Sequence, residues 1–327
     1  MPTLDAARTA GRGCQFILWR ADDRVSLLHL PTELVPCPDG GSVAGAPAEA
    51  VVSSASPPAS TVAIVAPSGG FTLAYRRTGV GGRHRLLLLH GIGSNSQSFR
   101  AQLAGLGADF DLVAWDAPGY GGSADPPADF SLDDFADCAA ALLDALGWRH
   151  AHLLGHSFGG VVAQAVHHRY PARVRSLILA DTNAGSGSLP EPERSARVQR
   201  RLDDLATLTP RQMAERRAPN LVPPDAPPEL VRQLIEVMAQ VRPAGYSAAA
   251  RAMGTADLRH ALGTIAAPTL VLHGELDTVI PASTAVELAA AMPNARLVVL
   301  PGAGHASNQH KPDAYNQAIR QFIESLG

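Results

Sequence analysis

Residues 155–159 read Gly-His-Ser-Phe-Gly. A serine hydroxyl is a weak nucleophile near neutral pH, so it must be lifted clear of the backbone and given a base. Small residues on both sides of Ser157 let the chain turn sharply from a strand into a helix. Such a turn presents the hydroxyl beside a helix N-terminus. The preceding His-Ala-His-Leu-Leu reads as a short strand. The following Gly160-Val-Val-Ala-Gln-Ala-Val-His-His-Arg-Tyr reads as a helix that Pro171 stops.

A base and an orienting acid follow in chain order. Residues 268–273, Pro-Thr-Leu-Val-Leu-His, read as a buried strand, and Asp277 lies in the loop just past it. Residues 295–300, Ala-Arg-Leu-Val-Val-Leu, are the next strand, and Pro301-Gly-Ala-Gly-His305 places His305 on a glycine-rich loop. Taken singly, these residues have plainer readings. His305 can be an ordinary loop histidine with His310 nearby, and Asp277 can cap a helix near Pro281. Glu275 and Asp181 are rival acids. Three residues in the order Ser, Asp, His, each past a strand end where open sheets bind ligands, favour nucleophilic catalysis.

An oxyanion of the tetrahedral intermediate needs backbone donors. Residues 85–89, Arg-Leu-Leu-Leu-Leu, form a buried strand running into His90-Gly91-Ile92-Gly93-Ser94. The expected donors are the amides of Ile92 and of Phe158, the residue after the serine.

The elements that must position these groups alternate along the chain. Residues 61–65 and 71–77 read as an opening antiparallel pair. Strands at 85–89, 111–115, 151–155, 174–180, 268–273 and 295–300 then alternate with helices near 98–106, 131–146, 158–169, 283–292 and 312–325. That pattern predicts a largely parallel sheet wrapped by helices. Ser131-Leu-Asp-Asp134 is a capping box. Residues 185–262 interrupt the alternation with four helix candidates, Ser195–Leu208, Pro210–Arg217, Pro228–Val241 and Gly245–Met253, and read as a lid. The domain reading is therefore 61–184 with 263–327 as the core, 185–262 as a helical cap, and 1–60 as an extension, mostly disordered, with 38–60 a flexible linker.

Together, His90-Gly-Ile-Gly, Asp116-Ala-Pro-Gly-Tyr-Gly-Gly-Ser123, Gly155-His-Ser-Phe-Gly, His273-Gly-Glu-Leu-Asp277 and Gly304-His305 resemble the α/β-hydrolase fold family over residues 61–327. Gly302-Ala-Gly-His-Ala-Ser-Asn308 and Ala180-Asp-Thr-Asn183 look like the 3-oxoadipate enol-lactonase group and its esterase relatives. The resemblance implies an eight-stranded, mostly parallel sheet flanked by helices, with a helical cap after the sixth strand. It implies Ser157 as nucleophile, Asp277 as acid and His305 as base. A serine at 157 argues against the epoxide hydrolase and haloalkane dehalogenase branches, which carry an aspartate there.

Composition bounds the remaining choices. The 327 residues carry a net charge of −3 with 46% hydrophobic residues, so neither nucleic acid nor an anionic membrane is an expected partner. Three cysteines, Cys14, Cys37 and Cys138, make no disulfide framework, which suits the cytoplasm. No apolar run is long enough to span a bilayer. The histidines lack partners at ligand-like spacing, so no metal or cofactor is expected. In the cap, Arg194, Arg197 and Arg201 fall opposite the apolar stripe of Val198, Leu202 and Leu205, which favours a solvated face over a carboxylate receptor. The expected activity is serine hydrolysis of a carboxylic ester or lactone. Alternatives are C–C bond hydrolysis of ring-cleavage products, cofactor-free perhydrolysis, or a ligand-binding receptor on the same fold.

Overall fold

The computed structural model describes residues 57–67 and 69–327 in full, and the backbone of residues 15–18 and 26–29. Its centre follows from leucine. In β5 (His84–Leu89), Leu86 and Leu88 join one apolar layer and Leu87 and Leu89 the other, and all four are fully buried. β6 (Phe110–Trp115) divides likewise, Leu112 and Ala114 against Val113 and Trp115. A strand covered on both faces has no polar side to show, hence the continuous apolar runs. Each buried leucine stabilises by roughly 1.5–3 kcal/mol.

The remaining strands are β1 (Gln15–Leu18), β2 (Ser26–His29), β3 (Ala59–Ala66), β4 (Gly69–Thr78), β7 (Ala151–His156), β8 (Val174–Ala180), β9 (Thr269–Gly274) and β10 (Ala295–Leu300). Among the described residues all ten form one sheet in the order β2-β1-β10-β9-β8-β7-β5-β6-β4-β3. Pairing is parallel from β10 across to β6 and antiparallel at both flanks. The eight strands read from the sequence are present, and β1 and β2 add two more.

Both added strands fall within residues 1–60, the stretch whose sequence reads as a mostly disordered extension. β1 lies antiparallel on β10, with Phe16 opposite Val298 and Ile17 opposite Leu297, and β2 pairs with β1. An added edge strand needs only main-chain partners, so the broken apolar pattern around Arg20–Arg24 did not prevent it. Most of the proposed linker, like Cys14 and Cys37, lies outside the described residues.

Helices cover both faces. α2 (Leu132–Ala145), α3 (Phe158–Arg169) and α9 (Ala282–Ala291) bury Phe135, Val162 and Leu288 in one layer. α1 (Arg100–Leu106) and α11 (Pro312–Glu324) bury Leu103, Ile319 and Phe322 in the other, with the short α10 (Ser307–His310) just before α11. α2 starts in the expected capping box of Ser131 and Asp134. Cys138 within it is a buried free thiol, pushed up to about 12 by burial and by the nearby Asp134 and Asp137.

Between β8 and β9 come α4 (Glu191–Thr207), α5 (Pro210–Arg217), α6 (Pro228–Met238), α7 (Pro243–Thr255) and α8 (Arg259–Leu262). α7 is the seated member. Its Gly245 crosses so close to Gly119 that a Cβ on either would collide with the other's backbone. Just before it, Arg242 donates to the carbonyls of Gly121 and Ser123. α4, by contrast, has no buried residue and rests Val198 against Gly254 of α7. A cavity of about 400 Å³ lies between these helices and the sheet. Among the described residues no helix is long and apolar enough to cross a membrane.

Candidate active site

Ser157 follows β7 directly with φ +53°, a conformation that side-chain-bearing residues seldom adopt. The strain persists because the turn is fixed at several points. The Ser157 amide donates to the Ala180 carbonyl at 2.9 Å, and the Ser157 carbonyl accepts from Thr182 Oγ1 at 2.6 Å. Gly155 and Gly159 close the turn. A Cβ at 155 would collide with the Gly159 carbonyl, and one at 159 with the Leu89 carbonyl.

The structure brings the three predicted side chains together. His305 Nε2 lies 3.1 Å from Ser157 Oγ, and His305 Nδ1 lies 2.8 Å from Asp277 Oδ2. Asp277 sits in the loop after β9, and its Oδ1 accepts the amides of Val279 and Ile280 at 2.7 and 3.0 Å. Burial pushes this carboxyl up, but the hydrogen bond and charge of His305, with the two amides, hold it below the ordinary carboxylate range. An ionised Asp277 accepts from Nδ1–H. That leaves the Nε2 lone pair to receive the Ser157 proton, the arrangement that activates a hydroxyl.

The rival residues point elsewhere. Glu275 accepts the Gly302 amide at 2.8 Å on the exposed side of the loop. His310 Nδ1 accepts from the Gly304 amide at 3.4 Å.

The loop after β5 presses onto the serine. A Cβ on Gly91 would stand 3.1 Å from Ser157 Cβ, so only glycine approaches without displacing it. His90 shapes this loop. The Ala117 amide donates to His90 Nε2 at 3.0 Å, so the proton sits on Nδ1, which faces the Gly91 carbonyl at 2.9 Å. Burial lowers the affinity of His90 for a second proton. Asp116 accepts from the Ser96 and Gly122 amides at 2.8 and 3.1 Å and ties this loop to the next. Ile92 lines the cavity beside Ser157 and His305. Phe158 opens α3, where helical geometry leaves the first amides without intrahelical partners.

Behind the three side chains lies a group of ionisable residues whose association no sequence spacing reveals. His156 Nε2 donates to the His305 carbonyl at 2.7 Å. Asp181, at φ +47°, accepts from the Gly274 amide at 2.8 Å and from the Ser307 hydroxyl. Burial pushes Asp181 up to about 7 and pushes His156 down to about 4. Their 3.7 Å approach is therefore not an ion pair at neutral pH. Asp181, His273 and Asp277 also place one ligand atom each within 4.8 Å of one another, a grouping that sequence spacing could not reveal. The oxygens of both aspartates are already hydrogen-bonded within the protein. They fit a structural network better than an ion.

The cap arginines divide. Arg194 pairs with Glu191 and Arg197 with Glu193 along α4. Arg201 and Arg217 line the cavity and have no carboxylate partner within ion-pair distance among the described residues; both donate to the buried Tyr246 hydroxyl.

Comparison with known proteins fits this geometry. The family model described as alpha/beta hydrolase fold matches residues 84–312. The chain is 30% identical to the serine hydrolase BPHL of Mus musculus over 262 residues, covering 78% of this chain and 84% of the relative. It is 29% identical to 3-oxoadipate enol-lactonase 2 of Acinetobacter baylyi over 255 residues, covering 77% and 93%. A thermophilic esterase from Thermogutta terrifontis superposes with a TM-score of 0.76 at 30% identity, covering 82% of this chain and 99% of that one.

Proposed function

The chain belongs to the α/β-hydrolase fold family, and from that premise we propose that it hydrolyses a carboxylic ester or lactone through Ser157, His305 and Asp277. The observation that carries the reading is the unbroken relay from Asp277 Oδ2 through His305 to Ser157 Oγ, on a strained turn that faces a cavity. Esterase and enol-lactonase relatives support the substrate class.

In this mechanism Ser157 Oγ attacks the carbonyl carbon as its proton passes to His305 Nε2. Asp277 orients the imidazole and stabilises its protonated form. The amides of Ile92 and Phe158 hold the oxyanion. Collapse expels the alcohol, which takes the proton from Nε2; a lactone ring opens and stays attached as the acyl group. Water then gives a proton to Nε2 as it attacks the acyl-enzyme, and collapse releases the acid while Ser157 Oγ takes the proton back from Nε2.

Acid release from short p-nitrophenyl esters and simple lactones tests the proposal. Wild type turns over, and Ser157→Ala loses at least about a thousandfold while keeping its fold. A fluorophosphonate adds mass to wild type and not to the variant. Undiminished hydrolysis by Ser157→Ala overturns the assignment.

A further inference from the structure

The cavity that contains Ser157 is lined by five cap arginines, Arg197, Arg200, Arg201, Arg216 and Arg217, and among the described lining residues by a single acid, Asp204. Arg197 is paired with Glu193 at 2.8 Å, and Arg216 takes Asp204 at 3.0 Å. Arg201 and Arg217 come from different helices and converge on one atom. The Tyr246 hydroxyl accepts from Arg201 Nη1 at 3.5 Å and from Arg217 Nη1 at 3.3 Å. Tyr246 is 2% exposed, and both arginines are half-buried.

Two guanidinium groups are held around one neutral oxygen, and the one carboxylate that acts on Arg217 here, Asp204, is shared with Arg216, so positive charge stays in excess. Like charges repel, and each guanidinium carries five N–H donors of which the phenol occupies one. Burial and the neighbouring Arg201 charge hold Arg217 below the ordinary arginine range. Tyr246, accepting from both, still has its own O–H to donate. An anion between the two arginines relieves the repulsion and uses these donors in bidentate geometry. A neutral ester does neither. The volume, about 400 Å³, suits a small molecule rather than a polymer.

The cluster adjoins the reacting end of the cavity. A Cβ on Gly93 would stand 3.5 Å from Tyr246 Cε2, and Gly93 follows Ile92 on the loop beside Ser157. We infer that the substrate carries a carboxylate remote from its scissile carbonyl, held between Arg201 and Arg217. This rests on the hydrolase reading and names the substrate class within it.

The test compares p-nitrophenyl hydrogen succinate with p-nitrophenyl pentanoate, which differ chiefly in the terminal carboxylate. Wild type is expected to favour the anionic ester in kcat/KM by at least about tenfold. Arg217→Met and Arg201→Met each reduce that preference about 10–100-fold, mainly through KM, as loss of a charged hydrogen bond implies. Arg217→Lys restores part of it and serves if the methionine variant does not fold. Equal use of both esters by wild type, or an unchanged preference in the variants, overturns the inference. Calorimetric titration of Ser157→Ala with succinate separates the two readings. Arg217-dependent succinate binding without hydrolysis of either ester sinks the hydrolase reading and leaves the anion site standing. Hydrolysis of the neutral ester without succinate binding does the reverse.

Discussion

His156 and His305 are 149 positions apart, yet the Nε2 of one donates to the main-chain carbonyl of the other at 2.7 Å. The residue before the serine thus holds the loop that carries its hydrogen-bonding partner. Their rings also pack, with centroids 5.2 Å apart. His156→Phe keeps the ring contact and removes the donor. A buried carbonyl left without its partner costs about 1–3 kcal/mol. We expect a lower melting temperature and a fall in kcat of about tenfold with a smaller change in KM. An unchanged kcat would show that the bond does not position His305.

Asp277→Asn tests the opposite end of the relay. The side-chain oxygen of asparagine can still accept the Val279 and Ile280 amides, so the fold should survive. The charge that favours a protonated imidazole is lost, as is the tautomer of His305 that directs a lone pair at Ser157. Turnover should fall by roughly 10⁴. A loss below tenfold would transfer the acid role to another group, and Asp181 is the nearest alternative.

Asp181 makes a prediction about pH and stability. Its carboxyl is pushed up to about 7 by burial, above its unfolded value. Between pH ~4 and ~7 the native state therefore binds the proton that the unfolded state has released. The resulting stability is fully present below the unfolded pKa and is lost as pH rises through the folded one. His152 and His156, held down at about 3 and about 4, act in the opposite sense below pH ~6.5. The whole-protein curve mixes these slopes, so the clean quantity is wild type minus Asp181→Asn. That difference should move against wild type by up to about 4 kcal/mol between pH 4 and 7. Parallel curves from denaturant melts would assign Asp181 an ordinary carboxylate pKa.

Gly159→Ala pits a local gain against a packing loss. Alanine in a helix is favoured over glycine by about 1 kcal/mol. Here the new methyl meets the Leu89 carbonyl oxygen, a backbone atom that cannot swing aside. Overpacking of this kind costs about 1–3 kcal/mol or more, and the clash should win. Destabilisation in a thermal melt is expected, and a stabilised variant would contradict the close approach of α3 to β5.

Most of the architecture was legible because burial on both faces leaves continuous apolar runs, as in Leu86–Leu89. The order Ser157, Asp277, His305 was legible because each follows a strand. The orientation of Arg201 was not. An amphipathic helix shows its polar side equally to bulk water and to a water-filled cavity, so the pattern of α4 predicted a solvated face for an arginine that lines the pocket. The bond between Asp181 and Ser307 joins positions too distant for any periodicity to register. β1 is not legible in the sequence because it joins β10 through main-chain pairing, which leaves little trace in side-chain pattern.

The cap is fastened unequally, and that has a kinetic meaning. Its α7 end is locked by the Gly119–Gly245 crossing and by Arg242, while α4 buries no residue completely. Traffic into and out of the cavity should therefore pass beneath α4, the helix that bears Arg201. The route and the charge met by an anionic substrate would then lie on the same helix. Salt that screens this charge should slow capture of an acidic substrate more than it slows the chemistry that follows.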